Sequence, residues 1–419
     1  MPQNGRGSIV PILILGALFF VFGFVTWLNG TLIPYLRIAC ELSDFQSLFV
    51  TFAFYIAYFV MALPSAWVLQ RTGLKNGMMV GLLVMAAGAL LFIPAAQARA
   101  YGLFLTGLFI IGTGLSVLQT AVNPYITIVG PIESAARRIS IMGICNKVAG
   151  VLAPIALGYV VLSDGDDFVA SLDGLTGAAL ADRLDELAAR VIWPYTAMAV
   201  VLAGLGLMVR LSPLPDIEPK GEEGVADASG RNSVLDYPYL VFGMIALFLY
   251  VGVEVMAGDT IGLYGQAQGV PLSTARHLTS YTLAAMVLGY VIGIRTIPRY
   301  ISQSRALLLS AATGVVLSLL ALALDGFASV LCIALLGLAN ALVWPAIWPL
   351  AIQGLGRHTK TGSALLIMAI AGGALLPLLY GRLADTPFIG PQQAYWMLVP
   401  CYLFIGWYAL RGSRLRHWR

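Results

Sequence analysis

Apolar runs long enough to cross a bilayer recur along almost the whole chain. A hydrocarbon core takes about 20 helical residues, and Pro238–Gly258, "PYLVFGMIALFLYVGVEVMAG", offers 21 with a single charge, Glu254. Backbone groups in lipid must be paired within their own segment, so runs of this length can only be helices. Charged and turn residues divide the sequence into twelve expected spans, at 9–33, 46–69, 77–97, 101–129, 138–162, 190–212, 237–266, 274–297, 303–325, 327–353, 361–384 and 391–411. Only 11% of the 419 residues are charged and 59% are hydrophobic, where a soluble domain carries about 25% charge. With a mean hydropathy of +0.87, lipid has to cover what charge cannot, and a soluble globular fold is excluded.

The N-terminal run "MPQNGRGSIVPILILGALFFVFGFV" is too long for a cleaved signal peptide and lacks a small-residue cleavage site before the next polar stretch, so it reads as a retained first helix. Cys40, Cys145, Cys332 and Cys401 are scattered without a CxxC pair, which predicts neither a metal centre nor a disulfide framework. With the N-terminus inside, 17 Lys and Arg fall in cytoplasmic segments and six (Arg37, Arg99, Arg183, Arg190, Arg276, Arg382) on the other side. Positive residues stay inside, so both termini are expected in the cytoplasm. The net charge of +4 then belongs to membrane orientation, and no nucleic-acid partner is implied.

Two polar stretches interrupt the spans. Ser163–Arg190 is acidic, expected outside and partly helical. Ser212–Asp236, rich in Pro, Gly and charge, reads as a flexible linker. The expected organisation is a six-helix bundle at 1–212, a linker at 213–236 and a second six-helix bundle at 237–419. An internal repeat supports the division: Arg137, Ser140, Gly150, Pro154 and Gly158 match Lys360, Ser363, Gly373, Pro377 and Gly381 at an offset of 223. Repeats with substrate held between them are the common build of secondary transporters.

Polar side chains inside spans mark the bundle interior, because facing lipid would leave them unsatisfied. They include Thr26 and Asn29; Ser116, Gln119, Thr120 and Asn123; Asn146 and Lys147; Glu254, Asp259 and Thr260; and Asn340 beside Trp344 and Trp348. Carboxamides donate and accept as a ring of sugar hydroxyls requires, and indoles stack on sugar C–H faces. Asn29, Gln119, Asn123, Asn146, Asn340 and Trp344 are therefore the expected substrate contacts. The alternative use of each amide is pairing helix to helix, at about 0.6 kcal/mol. Lys147 has two readings: it snorkels to the interface, or it is the counter-charge for Glu254. Pro64, Pro124, Pro154, Pro345, Pro349 and Pro377 lie within spans and predict kinks.

Several stretches carry a family resemblance: "LNGTLIPYL", "FQSLFVTFAFYIAYFVMALPSAWVLQRTGLKNGMMVGLLVMAAGALLFIPAA", "LFLTGLFIIGTGLSVLQTAVNPYITIVGPIESAARRISIMGICNKVAG" and "GLGRHTKTGSALLIMAIAGG". They resemble bacterial sugar transporters of the major facilitator superfamily, in the glucose/galactose branch related to the fucose–proton symporter. "QRTGLK" (Gln70–Lys75) resembles, in degenerate form, the superfamily's loop between helices two and three. The resemblance implies an all-α membrane protein of the major facilitator fold, with twelve helices in two pseudo-symmetric bundles that rock about a central sugar site. It also exposes two departures. The symporter pattern has Asp where this chain has Gly30, and Glu where it has Gln119, so that relative's proton-handling carboxylates are missing.

With those absent, Glu254 is the central acid expected to couple sugar to a cation, with Asp259 next and Lys147 as possible partner. The branch includes sodium-coupled members, so Na⁺ is the expected ion and H⁺ the alternative; no cofactor and no metal beyond such a sodium site is expected. Arg71, Lys75, Arg295, Arg299 and Arg305 occupy equivalent cytoplasmic loops and are expected to close the inner face by pairing with acids and helix C-terminal carbonyls; their other role is orientation alone. The expected protein is a monomeric inner-membrane importer of a hexose, with fucose or N-acetylhexosamine and uncoupled diffusion as alternatives. A nutrient sensor would want a signalling domain, where the linker has about 25 residues and eight follow residue 411. An enzyme would want its histidines at membrane depth, whereas His277, His358 and His417 lie in loops or the tail.

Overall fold

The computed structural model describes residues 9–128, 135–214, 233–297, 299–355 and 358–418, with the side chains at 9–10, 123–124, 126–140 and 359–360 also left out. All regular structure among the described residues is helical, and ten stretches are long and apolar enough to cross a membrane. Midway along these stretches the exposed side chains are apolar, such as Leu63, Val200 and Leu319, as a lipid-covered surface requires. The acidic stretch after residue 163 forms the helices Gly165–Leu172 and Ala178–Ala189. Of the expected linker, residues 215–232 lie outside the described residues.

Three long stretches are interrupted, each for a local reason. Phe49–Leu90 breaks at Gly73, whose φ of 73° and ψ of 171° lie where a side chain would clash. The arms then fold so closely that a Cβ on Gly77 would stand 2.1 Å from the Leu69 side chain. The helices Gly326–Asn340 and Val343–Ile352 part at residues 341–342; Pro345 has no N–H to give the Ala341 carbonyl, and its ring crowds that carbonyl. Pro238–Val255 passes through a π-turn, Met256–Thr260, before Ile261–Ala267. There the carbonyls of Met256, Ala257 and Gly258 accept hydroxyls from Thr260, Thr282 and Thr279 at 2.7, 2.9 and 2.7 Å.

Helices before residue 213 pack mainly on one another: Phe49–Leu90 against Tyr101–Ile128 and Ile192–Leu211, and Ile9–Trp27 against Ala135–Val161. Those after residue 236 do the same, with Gly326–Asn340 between Leu278–Thr296 and Gln303–Ala323. The two groups meet where Ala135–Val161 crosses Leu278–Thr296 and where Phe49–Leu90 crosses Gly372–Ala384. This gives the internal repeat a physical meaning. A Cβ on Gly150 or Gly158 would stand 3.1 Å from Leu283 and 3.5 Å from Arg276; on Gly373 or Gly381 it would stand 3.1 Å from Tyr55 and 2.6 Å from Leu48. The repeated small residues are those through which each half presses on the other.

Candidate functional site

The single acid of Pro238–Gly258 is paired. Lys147 donates to Glu254 Oε1 at 2.9 Å, joining Ala135–Val161 to Pro238–Val255 across the two halves, and the side chains are only 12% and 10% exposed. The lysine turns inward instead of snorkelling, and its ammonium lies 4.9 Å from the centre of the Trp27 ring, a favourable seat for a cation. Tyr250, one helical turn before Glu254, is completely buried beside it. A sodium ion at Glu254 would compete with Lys147 for the same carboxylate.

The expected sugar contacts divide. Asn340 is fully buried; its Oδ1 accepts from Tyr402 at 2.8 Å and its Nδ2 has no partner among the described residues. Trp344 stacks on Trp348 with ring centres 5.4 Å apart and approaches Tyr250 at 6.4 Å. Asn340 and Trp344 thus meet Tyr402 and Tyr250 within the second half. Gln119 donates to the Tyr58 hydroxyl at 3.0 Å, and Tyr58 stacks on Tyr55, which feels both Glu254 and Asp259. Asn29 is buried with Nδ2 unpartnered among the described residues. Asn146 donates to the Phe19 carbonyl at 3.4 Å, so its amide binds a helix of its own half. The side chain of Asn123 lies outside the described residues.

Tyr58, Tyr402, Trp27 and Thr51 do not stand out in the sequence, yet they contact Gln119, Asn340, Lys147 and Asp259. The three hydroxyls carry a signal in the sequence, since a polar tip within a span needs a partner; Trp27 offers its ring face to the cation.

Asp259 is completely buried. Thr51 of the other half donates to its Oδ2 at 3.2 Å, and its Oδ1 has no partner among the described residues.

The expected gating residues make no ion pair with any described acid. Arg71 stacks on Trp67 at 3.9 Å, Arg299 on Tyr300 at 5.3 Å, and Arg295 and Arg305 are exposed. Lys75 does take a helix C-terminal carbonyl, that of Ser212 at 2.7 Å, but within its own half. Cross-half bonds gather on the opposite face, called distal here. Asp166 accepts from the backbone N–H groups of Leu272 and Ser273 at 2.6 and 3.0 Å. Arg276 donates to the carbonyls of Gly158, at 3.2 Å, and Leu162. Asp385 accepts from the Phe45 N–H at 3.0 Å. Hydrogen bonds from Ser273, its side chain first, hold the Asp166 carboxyl below the usual carboxylate range. The protein is closed on the distal face.

The Major Facilitator Superfamily profile matches residues 15–378. A glucose/galactose transporter of Brucella abortus is 35% identical over 415 residues, covering 98% of this chain and 96% of the relative. The L-fucose-proton symporter of Escherichia coli is 28% identical, covering 91% and 89%. The crystal structure of a superfamily transporter, FucP, in an outward conformation superposes with a TM-score of 0.74 at 27% identity, covering 98% of this chain and all of that one. The chain belongs to the Major Facilitator Superfamily. Its resemblance to the glucose/galactose and fucose transporters extends over nearly the whole length.

Proposed function

We propose that this protein is a secondary active importer of a glucose/galactose-type hexose in a bacterial inner membrane, working by alternating access. Twelve spans follow if the 54-residue stretch Asp44–Gln97 is counted as two at Gly73 and the last helix, Leu398–Leu410, is added. They form bundles at 1–212 and 237–419 joined by 213–236. Both termini are cytoplasmic, which makes the distal face external. No catalytic role is assigned, and a monomer suffices because the site lies between two halves of one chain.

The observation that carries the reading is the buried Lys147–Glu254 pair at the meeting of the halves, with the Trp27 ring against the ammonium. A soluble enzyme core gains little from such a pair, whereas a carrier needs groups whose bonding changes as its halves rock. The 35% identity to a glucose/galactose transporter supports a hexose over fucose. Lys147 at 2.9 Å from Glu254 favours the proton over sodium as coupling ion, because that carboxylate already has its cation.

Purified protein in proteoliposomes, given a panel of hexoses, should show counterflow with glucose or galactose. Accumulation should follow an imposed pH gradient with the membrane potential clamped. Counterflow with none of the sugars removes the substrate assignment. Accumulation under a sodium gradient at equal pH restores sodium.

A further inference from the structure

Glu254 is one of two acids in this helix, and the π-turn decides how they stand. In an α-helix, residue i+5 points about 140° away from residue i. The extra residue of the Met256–Thr260 turn places Asp259 where an i+4 residue would stand, on the face of Glu254, and the two carboxyls feel each other's charge. Their partners differ completely. Glu254 has Lys147. No Lys, Arg or His among the described residues pairs with Asp259; Glu254 and the Tyr55 phenol are the titratable groups that face it.

We propose that Asp259 is the proton-binding site of the carrier, and that closing the distal face is what retains the proton. This rests on the transport reading above. In the closed form the carboxyl is fully buried, one oxygen accepts the Thr51 hydroxyl of the other half, and the other oxygen is bare. A carboxylate there has one neutral donor and a second anion nearby, and burying a charge so poorly paired is unfavourable. A proton on Oδ1 cancels the charge and forms one O–H bond. The proton is delivered by hydronium while the distal face is open: the hydronium O–H bond breaks, water is left behind, and the carboxyl O–H forms. When the halves part, Thr51 leaves and water reaches the carboxyl, so the open form tolerates the anion. Linkage then runs both ways: the proton favours closure and closure favours the proton. Lys147 is bound to Glu254, which leaves Asp259 as the buried acid without a counter-charge among the described residues.

The test follows distal distance and proton uptake together. Labels at Asp167 and Phe388, both exposed distal positions on opposite halves, report closure in detergent. In the wild type the distal distance should shorten as pH falls, and sugar addition should draw protons from a weakly buffered medium. Asp259→Asn, neutral and of the same shape, should give a closed distance independent of pH and no proton uptake on sugar addition. Glu254→Gln should keep the pH dependence of closure. If Asp259→Asn does not fold, infrared difference spectra of the wild type decide. A protonated-carboxyl band should appear on lowering the pH and shift in Thr51→Val, which removes the hydroxyl but keeps the acid. Unchanged pH-dependent closure in Asp259→Asn, or no such band in the wild type, overturns the proposal. Loss of counterflow in the wild type would instead sink the sugar reading.

Discussion

The two faces of the molecule are built differently. On the distal face, side chains of one half bind backbone groups of the other: Asp166 takes the N–H groups of Leu272 and Ser273, Asp385 that of Phe45, and Arg276 the carbonyls of Gly158 and Leu162. On the face near the termini, Arg71 and Arg299 lie on aromatic rings and Lys75 caps a helix of its own half. A closed face fixes charges on helix ends; on the other, the same kind of charge stays within its half. Closure here depends on helix termini of one half meeting side-chain caps from the other, more than on ion pairs between side chains.

Breaking the centre on which both faces turn should have the largest effect. Removing one partner of a mostly buried ion pair costs about 3–5 kcal/mol, because the other charge is left uncompensated. Lys147→Ala should lower the melting temperature of the detergent-solubilised protein markedly and abolish sugar accumulation. The double variant Lys147→Met/Glu254→Gln should regain most of the stability without regaining uphill transport. If Lys147→Ala melts and transports as the wild type does, the pair is incidental to both faces.

Next comes the closeness of the distal approach. A Cβ on Gly30 would stand 2.1 Å from the Thr279 hydroxyl, which is itself held by the Gly258 carbonyl at 2.7 Å. Overpacking of this kind costs typically about 1–3 kcal/mol, and here it falls only on the closed distal form. Gly30→Ala should therefore lengthen the distance between distal labels and raise the accessibility of distal cysteines, with little loss of folding. An unchanged distal distance would mean that the helices around residue 30 adjust without opening.

Much of this was legible in the sequence, and the limits have physical causes. Helical spans follow from lipid's demand for internal backbone pairing, which needs no tertiary information. The break at residues 341–342 follows from Pro345, and the repeat at 150, 158, 373 and 381 from small residues at close contacts. The π-turn at Met256–Thr260 has no such local signature; it depends on threonines of another helix reaching its carbonyls. Lys147 could snorkel or pair, and only the register between Ala135–Val161 and Pro238–Val255 decides. Asn146 and Lys147 are neighbours in sequence, but one step along a helix turns a side chain about 100°, so one binds its own half and the other crosses. The sequence points to a gate of basic residues near the termini, while the closed face uses Asp166 and Arg276, residues that charge counting assigns only to a side.

A smaller effect should follow from the distal latch alone. Asp166 is exposed, so Asp166→Asn should shift the balance of distal closure by no more than a few-fold. The sign of its pH dependence is fixed. Its carboxyl is held below the ordinary range when it caps Leu272 and Ser273, so its contribution is present above about pH 4 and is lost as pH falls through the depressed value. Distal labels should thus report no change from this residue near neutral pH. A response near neutrality comes from another group, either His277, which accepts from Arg276 Nε at 3.1 Å on the same face, or Asp259, and Asp259→Asn separates the two. If Asp166→Asn removes a pH response near neutrality, that division between the two acids is wrong.

The smallest structural effect belongs to the face near the termini. Arg71 is exposed and stacked on Trp67, an arrangement worth about 0.5–1 kcal/mol, so Arg71→Gln should leave insertion and melting almost unchanged. Its effect on rate is the informative part. If this face closes in the alternate state by bringing Arg71 to acids or helix ends of the other half, Arg71→Gln should slow the return of the empty carrier, leaving sugar affinity unaltered. Lys75 serves as the internal control, because it is already bound to the Ser212 carbonyl of its own half and has no need to exchange partners. Lys75→Gln should lower stability slightly more than Arg71→Gln does, yet slow the return step less. Equal rates in both variants and the wild type would leave these cations as orientation signals only, and the closure of this face would then have to rest on packing.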